Sequence, residues 1–227
     1  MKELQKLVGS LNKSGALSGF LGGVAGGGLT SLMTGKSKKS SKTALKYGAL
    51  AAVGGLAWKA YKDYSQNAQQ SQDKAAYDNA MQKRSGKHFD FSPNHMAEHS
   101  FNDVIDDDSC DGQLLLMRAM IAAAYADGHI DEQERQRIFN RVETMTLSVN
   151  EKAMLFDELR KPLSLTELVA AVPNAQTGIE VYAASASAID LSQPASVNYL
   201  QQLANQLCLP RALVDSIHQQ LTYQVSN

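Results

Sequence analysis

The chain of 227 residues has room for one sizeable domain and an appendage, and its two cysteines argue against a disulfide framework. Its net charge of −1 conceals a division: residues 1–64 carry ten lysines against two acidic residues, and residues 65–227 carry twelve basic against twenty-one acidic residues. A basic end of this kind is expected to meet an anionic surface. Its clustered lysines lack interleaved aromatic residues, which argues against a nucleic-acid partner, and no P-loop, Gly-x-Ser-x-Gly or dinucleotide-binding motif is present.

The first predicted unit is a glycine-rich basic arm, residues 1–42, in which positions 14–35 carry no charge. Small residues recur there every four positions, in a row formed by Gly15, Gly19, Gly23 and Gly27. One interpretation is a flexible linker, because glycine weakens a helix in water by about 1 kcal/mol relative to alanine. The other is a membrane-inserting segment, whose glycine rows let two helices approach closely and so favour a homo-oligomer.

The second unit, residues 43–64, is a predicted membrane helix. Its uncharged core, residues 47–58, corresponds to about 18 Å of helix, short of the ~30 Å hydrocarbon thickness of a bilayer. Flanking lysines that reach back to the lipid headgroups, with Trp58 as an interfacial aromatic residue, make it long enough for a single pass. An interfacial helix and a soluble helix are the alternatives, and the topology stays open.

Residues 65–111 are predicted to form a polar helix followed by an acidic, histidine-containing linker. Within it, His95-Met96-Ala97-Glu98-His99 fits H-x-x-E-H, the inverted zinc-peptidase motif. Such a site needs a helix that places His95 and His99 one turn apart, a distal carboxylate as third ligand, and Glu98 as general base. Because the match follows Pro93 in a predicted loop and no large catalytic domain follows it, a metal-dependent hydrolase is the alternative function rather than the first.

Residues 112–227 are predicted to fold as an all-α domain, a compact bundle of about seven short helices. The first, residues 113–126, is strongly apolar but too short to span a membrane, so it is expected to lie in the core. Helix starts are marked by capping boxes, in which a serine precedes a glutamate by three residues, and by other N-cap residues and prolines. These positions are Ser148 with Glu151, Ser164 with Glu167, Asn174, Pro194 and Pro210.

The candidate site lies at the joint between the first two of these helices, residues 126–134. Asp127 and Gly128 end one helix, and Asp131 with Glu134 starts the next. Asp190 follows a second alanine-rich helix, so two packed helix hairpins would bring the four carboxylates together. Clustered carboxylates bind hard cations such as Ca²⁺ or Mg²⁺, and we predict a divalent-cation site formed by Asp127, Asp131, Glu134 and Asp190. The alternative is that these residues only cap helices.

The sequence of residues 124–134, AYADGHIDEQE, resembles the signature of TerB-like domains, the all-helical fold named for tellurite resistance. The order of glycine-rich arm, short membrane segment and this domain is similar to the YebE-like family of uncharacterised bacterial inner-membrane proteins, from Ala44 to the C-terminus. The resemblance implies acidic metal-binding residues, carried here by Asp127, Asp131 and Glu134. Such proteins tend to have a glutamate near Ser196, and its absence here leaves at most a one-sided site.

Together these features predict a membrane-anchored, non-enzymatic helical module at the bacterial inner membrane, acting as a scaffold or a stress-linked sensor. Its predicted partners are membrane lipid and a second copy of the chain through the glycine rows. The sequence names no protein partner and no reaction, and a divalent cation is the one cofactor that it suggests.

Overall fold

The computed structural model describes residues 49–70, 89–93, 95–101, 111–127, 130, 132–144, 147–189 and 191–225. The predicted arm with its glycine rows, together with Asp131 and Asp190, lies outside these residues. Eight α-helices form in the described part: α1 (Ala49–Gln70), α2 (Asp111–Ala124), α3 (Glu132–Thr144), α4 (Val149–Glu158), α5 (Leu165–Ala171), α6 (Ala175–Ser187), α7 (Pro194–Gln206) and α8 (Arg211–Val225). A 3₁₀ turn, Tyr125–Asp127, continues α2, and the described residues contain no strand. The all-α prediction and the seven helices expected after residue 111 are therefore confirmed.

Local capping signals set where several helices begin. The Ser148 and Ser164 side chains accept hydrogen bonds from the backbone N–H groups of Glu151 and Glu167, and both glutamates return a bond to the serine backbone. The Asn174 side chain accepts from the Thr177 N–H at 2.8 Å. These contacts satisfy N–H groups that have no partner inside a helix. The capping boxes predicted at Ser148 and Ser164 are confirmed.

The core is arranged around α6, which packs against α1, α2, α7 and α8. Every residue of α6 from Thr177 to Ala186 is buried. Half of these ten residues are alanine, glycine or serine, and short side chains let neighbouring helices approach α6 on all sides. The helix α1 packs against both α8 and α6.

The helix expected to cross a membrane is instead part of this bundle. The apolar side chains of α1 share one face, an arc of roughly 140° at 100° per residue. Each is at most 6% exposed: Leu50, Val53, Leu56, Ala57, Ala60, Tyr61 and Tyr64. Lys59 and Lys62, which were expected to reach toward lipid headgroups, lie on the opposite, exposed face. Within the described residues, no helix has both the length and the apolar content needed to cross a bilayer.

Aromatic contacts and hydrogen bonds join the segment after α1 to the middle of that helix. The Trp58 ring lies 5.6 Å from the ring of Phe101 and 6.2 Å from that of Tyr61, within an aromatic cluster. The Tyr61 hydroxyl donates to the Ser92 carbonyl oxygen at 2.5 Å and accepts from the His95 N–H at 3.0 Å. The bundle therefore includes residues well before 112.

Candidate functional site

The joint that carries the predicted cation site is the 3₁₀ turn Tyr125–Asp127 followed by α3, which begins at Glu132. This turn contacts α7, the helix that begins four residues after Asp190. The two halves of the predicted site thus belong to neighbouring parts of the bundle. The side chains of Asp127 and Glu134, and the whole of Asp131 and Asp190, lie outside the described residues, so the ligand set stays a prediction.

Two hydrogen bonds join α2 and the turn after it to the end of α4. The Tyr125 hydroxyl donates to the Leu159 carbonyl oxygen at 2.6 Å, and the Arg118 Nε donates to the Glu158 Oε1 at 2.7 Å. The Glu158 side chain is 9% exposed, and its Oε2 is buried and accepts no hydrogen bond from the described residues. Burial raises the pKa of the Glu158 carboxyl, while Arg118 opposes the shift and Glu167 adds to it.

The H-x-x-E-H match does not assemble the geometry that a zinc peptidase needs. His95 lies in non-helical backbone, and the helical turn begins only at Glu98, so His95 and His99 are not one turn apart on a common helix. The Tyr61 hydroxyl accepts hydrogen bonds from the backbone N–H groups of His95 and Met96, which fixes this stretch outside a helix. The His95 Nε2 lies 3.7 Å from the Asp90 Oδ2, and no group of three metal ligands forms among the described residues.

A contact that the sequence did not reveal joins α6 to α8. The Tyr182 hydroxyl lies 3.0 Å from the His218 Nε2, and the two rings stack with their centroids 5.9 Å apart and an interplanar angle of 16°. Burial raises the pKa of Tyr182, so the hydroxyl keeps its proton, and burial lowers the pKa of His218 against the opposing charge of Asp215. The available sequence signal was a histidine between Val214 and Leu221 on a half-apolar face of α8, which is too weak to name a partner 36 residues away.

Comparison with known proteins identifies the family. An "Uncharacterized protein in ampR 5'region" from Yersinia enterocolitica is 26% identical over 106 residues, which are 47% of this chain and 76% of that protein. No solved structure matches the chain. Residues 19–221 match the family described as protein of unknown function (DUF533), which is related to the TerB-like fold. Because this match covers most of its length, the chain belongs to the DUF533 family.

Proposed function

We propose that the protein is a membrane-anchored, non-enzymatic helical module of the bacterial inner membrane, a scaffold or stress-linked sensor with the layout of the YebE-like family. The observation that carries the proposal is that α1 uses its apolar face inside the bundle, whereas the uncharged run 14–35 and the lysines after it precede the bundle. Lipid contact is therefore assigned to residues before Ala49, and the bundle is assigned to the aqueous side.

The arm has the chemistry that an anchor needs. Its 22 uncharged residues, 14–35, would extend about 33 Å as a helix, close to the hydrocarbon thickness of a bilayer. The five lysines between residues 36 and 46 are each attracted to anionic headgroups by about 1 kcal/mol. The glycine rows within the run support close pairing of two such segments, and hence a homo-oligomer.

Membrane sedimentation of the full-length chain tests the anchor. We expect the protein to sediment with membranes in high salt and to be released by detergent. The variant Val24→Lys places a charge at the middle of the uncharged run, which costs about 2.5–3.5 kcal/mol on insertion scales, and should move the protein to the supernatant. The matched control Val197→Lys makes the same change on an exposed position of α7 and should stay with the membranes. Membrane retention of Val24→Lys would contradict the proposal.

A divalent cation bound by Asp127, Asp131, Glu134 and Asp190 is a second proposal. It is supported by the contact between the turn Tyr125–Asp127 and α7, because that contact joins the parts of the chain that carry the two acidic motifs. Oxygen ligands of this kind suit Ca²⁺ and Mg²⁺ better than softer metals.

Calorimetric titration of the full-length protein with Ca²⁺, Mg²⁺, Mn²⁺ and Zn²⁺ tests the cation proposal. The whole chain is required because α1 covers α6 and α8. We expect binding of Ca²⁺ or Mg²⁺ that Asp127→Asn abolishes and that Asp157→Asn, on the exposed surface of α4, leaves intact. Bound zinc that is lost in His95→Ala would instead favour the metal-dependent hydrolase with His95, Glu98 and His99.

A further inference from the structure

In the contact between Tyr182 and His218, the side chain of a histidine on α8 is the hydrogen-bond partner of a buried tyrosine on α6. Tyr182 lies on α6 and is 1% exposed, so its side chain is buried. His218 is half-buried on α8. A change in the protonation of His218 therefore changes the hydrogen bonding of a buried tyrosine.

The donor and acceptor roles in this contact depend on the protonation of the ring. When neutral His218 carries its hydrogen on Nδ1, its Nε2 is an acceptor, and the Tyr182 hydroxyl, which keeps its proton, donates to it across 3.0 Å. Protonated His218 carries a hydrogen on both ring nitrogens and becomes a donor at Nε2. The Tyr182 oxygen must then accept, and its own hydrogen loses the acceptor that the neutral ring provides. Protonation thus replaces a satisfied contact with a buried, unsatisfied hydroxyl.

The charged groups around the ring define the direction of the effect. Asp215, about one turn earlier on α8, favours the protonated ring, and burial disfavours it more strongly, so the pKa of His218 is lowered from its usual 6.5. From α6 the facing titratable group is Tyr182. On the α1 side, Asp63 accepts a hydrogen bond from the Gln220 Nε2 at 2.6 Å, which joins α1 to α8 two residues beyond His218.

We propose that the Tyr182–His218 contact is an acid-sensitive clasp that holds α8, and through α8 also α1, in the bundle. Because the folded state disfavours the protonated ring, the stabilisation is complete above pH 6.5 and is lost as the pH falls below that value. Acidification then loosens the helix that α1 packs against. The inference concerns the bundle alone and does not depend on the membrane anchor or on cation binding.

Thermal unfolding of the full-length protein at about pH 7.5 and about pH 5.5 tests the clasp. His218→Gln keeps an amide oxygen that can accept from Tyr182 but does not titrate. We expect the melting temperature of His218→Gln to fall less on acidification than that of the natural chain, by roughly 3 °C. His99→Gln is the matched control, because His99 is exposed outside the α6–α8 interface, and it should show the pH dependence of the natural chain.

The variant Tyr182→Phe and the fluorescence of Trp58 provide two further tests. Tyr182→Phe removes the hydroxyl that loses its acceptor and should also reduce the pH dependence, even if His218→Gln folds poorly. Emission of Trp58, which lies on α1 and is the single tryptophan, should shift on acidification in the natural chain and not in His218→Gln. The proposal is wrong if both variants keep the full pH dependence of the natural chain, or if Trp58 emission responds to acid equally in all of them.

Discussion

Helices α1 and α2 are both alanine-rich, apolar and flanked by charge, yet they use their apolar residues differently. The helix α2 buries nine of its 14 residues and so runs through the interior of the bundle. In contrast, α1 buries one face against α8 and α6 and exposes Lys59 and Lys62 on the other. The number of apolar residues in a run therefore does not show whether a helix is buried on most sides or on one face. Their distribution around the helix axis does.

The small residues of α1 explain why its sequence resembles a membrane helix. Ala57 and Ala60 are fully buried, and they allow close approach of the neighbouring helices. Small residues serve the same purpose between helices in lipid and between helices in a protein core. Small residues are thus a sign of close helix packing in either environment, and the exposed lysines of α1 favour a place in the protein core.

The largest expected effect comes from truncating Tyr61, the buried residue that joins α1 to the segment after it. Tyr61→Ala removes a buried ring and the hydroxyl that contacts Ser92 and His95, and should lower the free energy of unfolding by about 3–5 kcal/mol. Ile121→Ala in α2 should cost about 2–5 kcal/mol for the same reason. Denaturant unfolding of the full-length chain measures both. If Tyr61→Ala had as little effect as Lys62→Ala on the exposed face, α1 would not belong to the core.

A smaller effect is expected from a larger side chain on the buried face of α1. Ala60 is 0% exposed, and Ala60→Leu should destabilise the bundle by about 1–3 kcal/mol, because a well-packed interior resists added volume. Lys59→Leu, one residue away on the exposed face, should change the stability by less than about 0.5 kcal/mol. Equal responses of the two variants in the same unfolding experiment would mean that α1 has no preferred face.

Ser148→Ala tests the packing around α2. It removes the N-cap of α4, and α4 packs against α2. Loss of the capping bond to the Glu151 N–H should reduce stability by about 1 kcal/mol. The serine also lowers the pKa of Glu151, so the contribution of that carboxylate is present above about pH 4.5 and fades as the pH falls. If Ser148→Ala lowered the stability equally at low and neutral pH, the Glu151 carboxylate would not contribute to the cap.

The smallest effect is expected at Glu158, whose buried carboxyl contacts Arg118 on α2. Because its pKa is raised, the protonated form favours the fold, and this stabilisation is lost as the pH rises through the pKa of the folded protein. Glu158→Gln resembles the protonated form and should melt slightly above the natural chain near pH 8, with the difference narrowing toward pH 4.5. A Glu158→Gln variant that melts lower at both pH values would show that the ion pair with Arg118 outweighs burial.

Most of the fold could be predicted from local signals in the sequence. The features that could not be predicted depend on contacts between residues that are distant in the sequence. The capping boxes at Ser148 and Ser164 are readable because donor and acceptor lie three residues apart. The bonds of Tyr61 to Ser92 and of Tyr182 to His218 join residues 31 and 36 positions apart, and no local pattern specifies such pairs. The burial of α1 was missed for the same reason, since it depends on a surface that α6 and α8 create together.

Less of the candidate site could be judged from sequence. The joint after α2 was predicted at the right place, because a helix stop and a helix start are local features. Whether Asp127 and Asp190 share a cation depends on how two distant hairpins pack, and their side chains lie outside the described residues. The H-x-x-E-H motif is misleading in the opposite way. Its residue types have the correct spacing, but the backbone at its start, His95 and Met96, is hydrogen-bonded to Tyr61 and is not helical.

The most direct test of the central claim is quenching of Trp58 fluorescence in vesicles whose lipids carry bromine on their acyl chains. The claim is that α1 belongs to the bundle, whereas residues before Ala49 contact lipid. With the full-length protein reconstituted, we expect Trp58 emission to be the same in brominated and unbrominated vesicles, because its ring packs against Phe101 and Tyr61. A tryptophan introduced at Phe20 in the arm, with Trp58→Phe, should be quenched. Strong quenching of Trp58 in the natural chain would contradict the account and return α1 to the membrane.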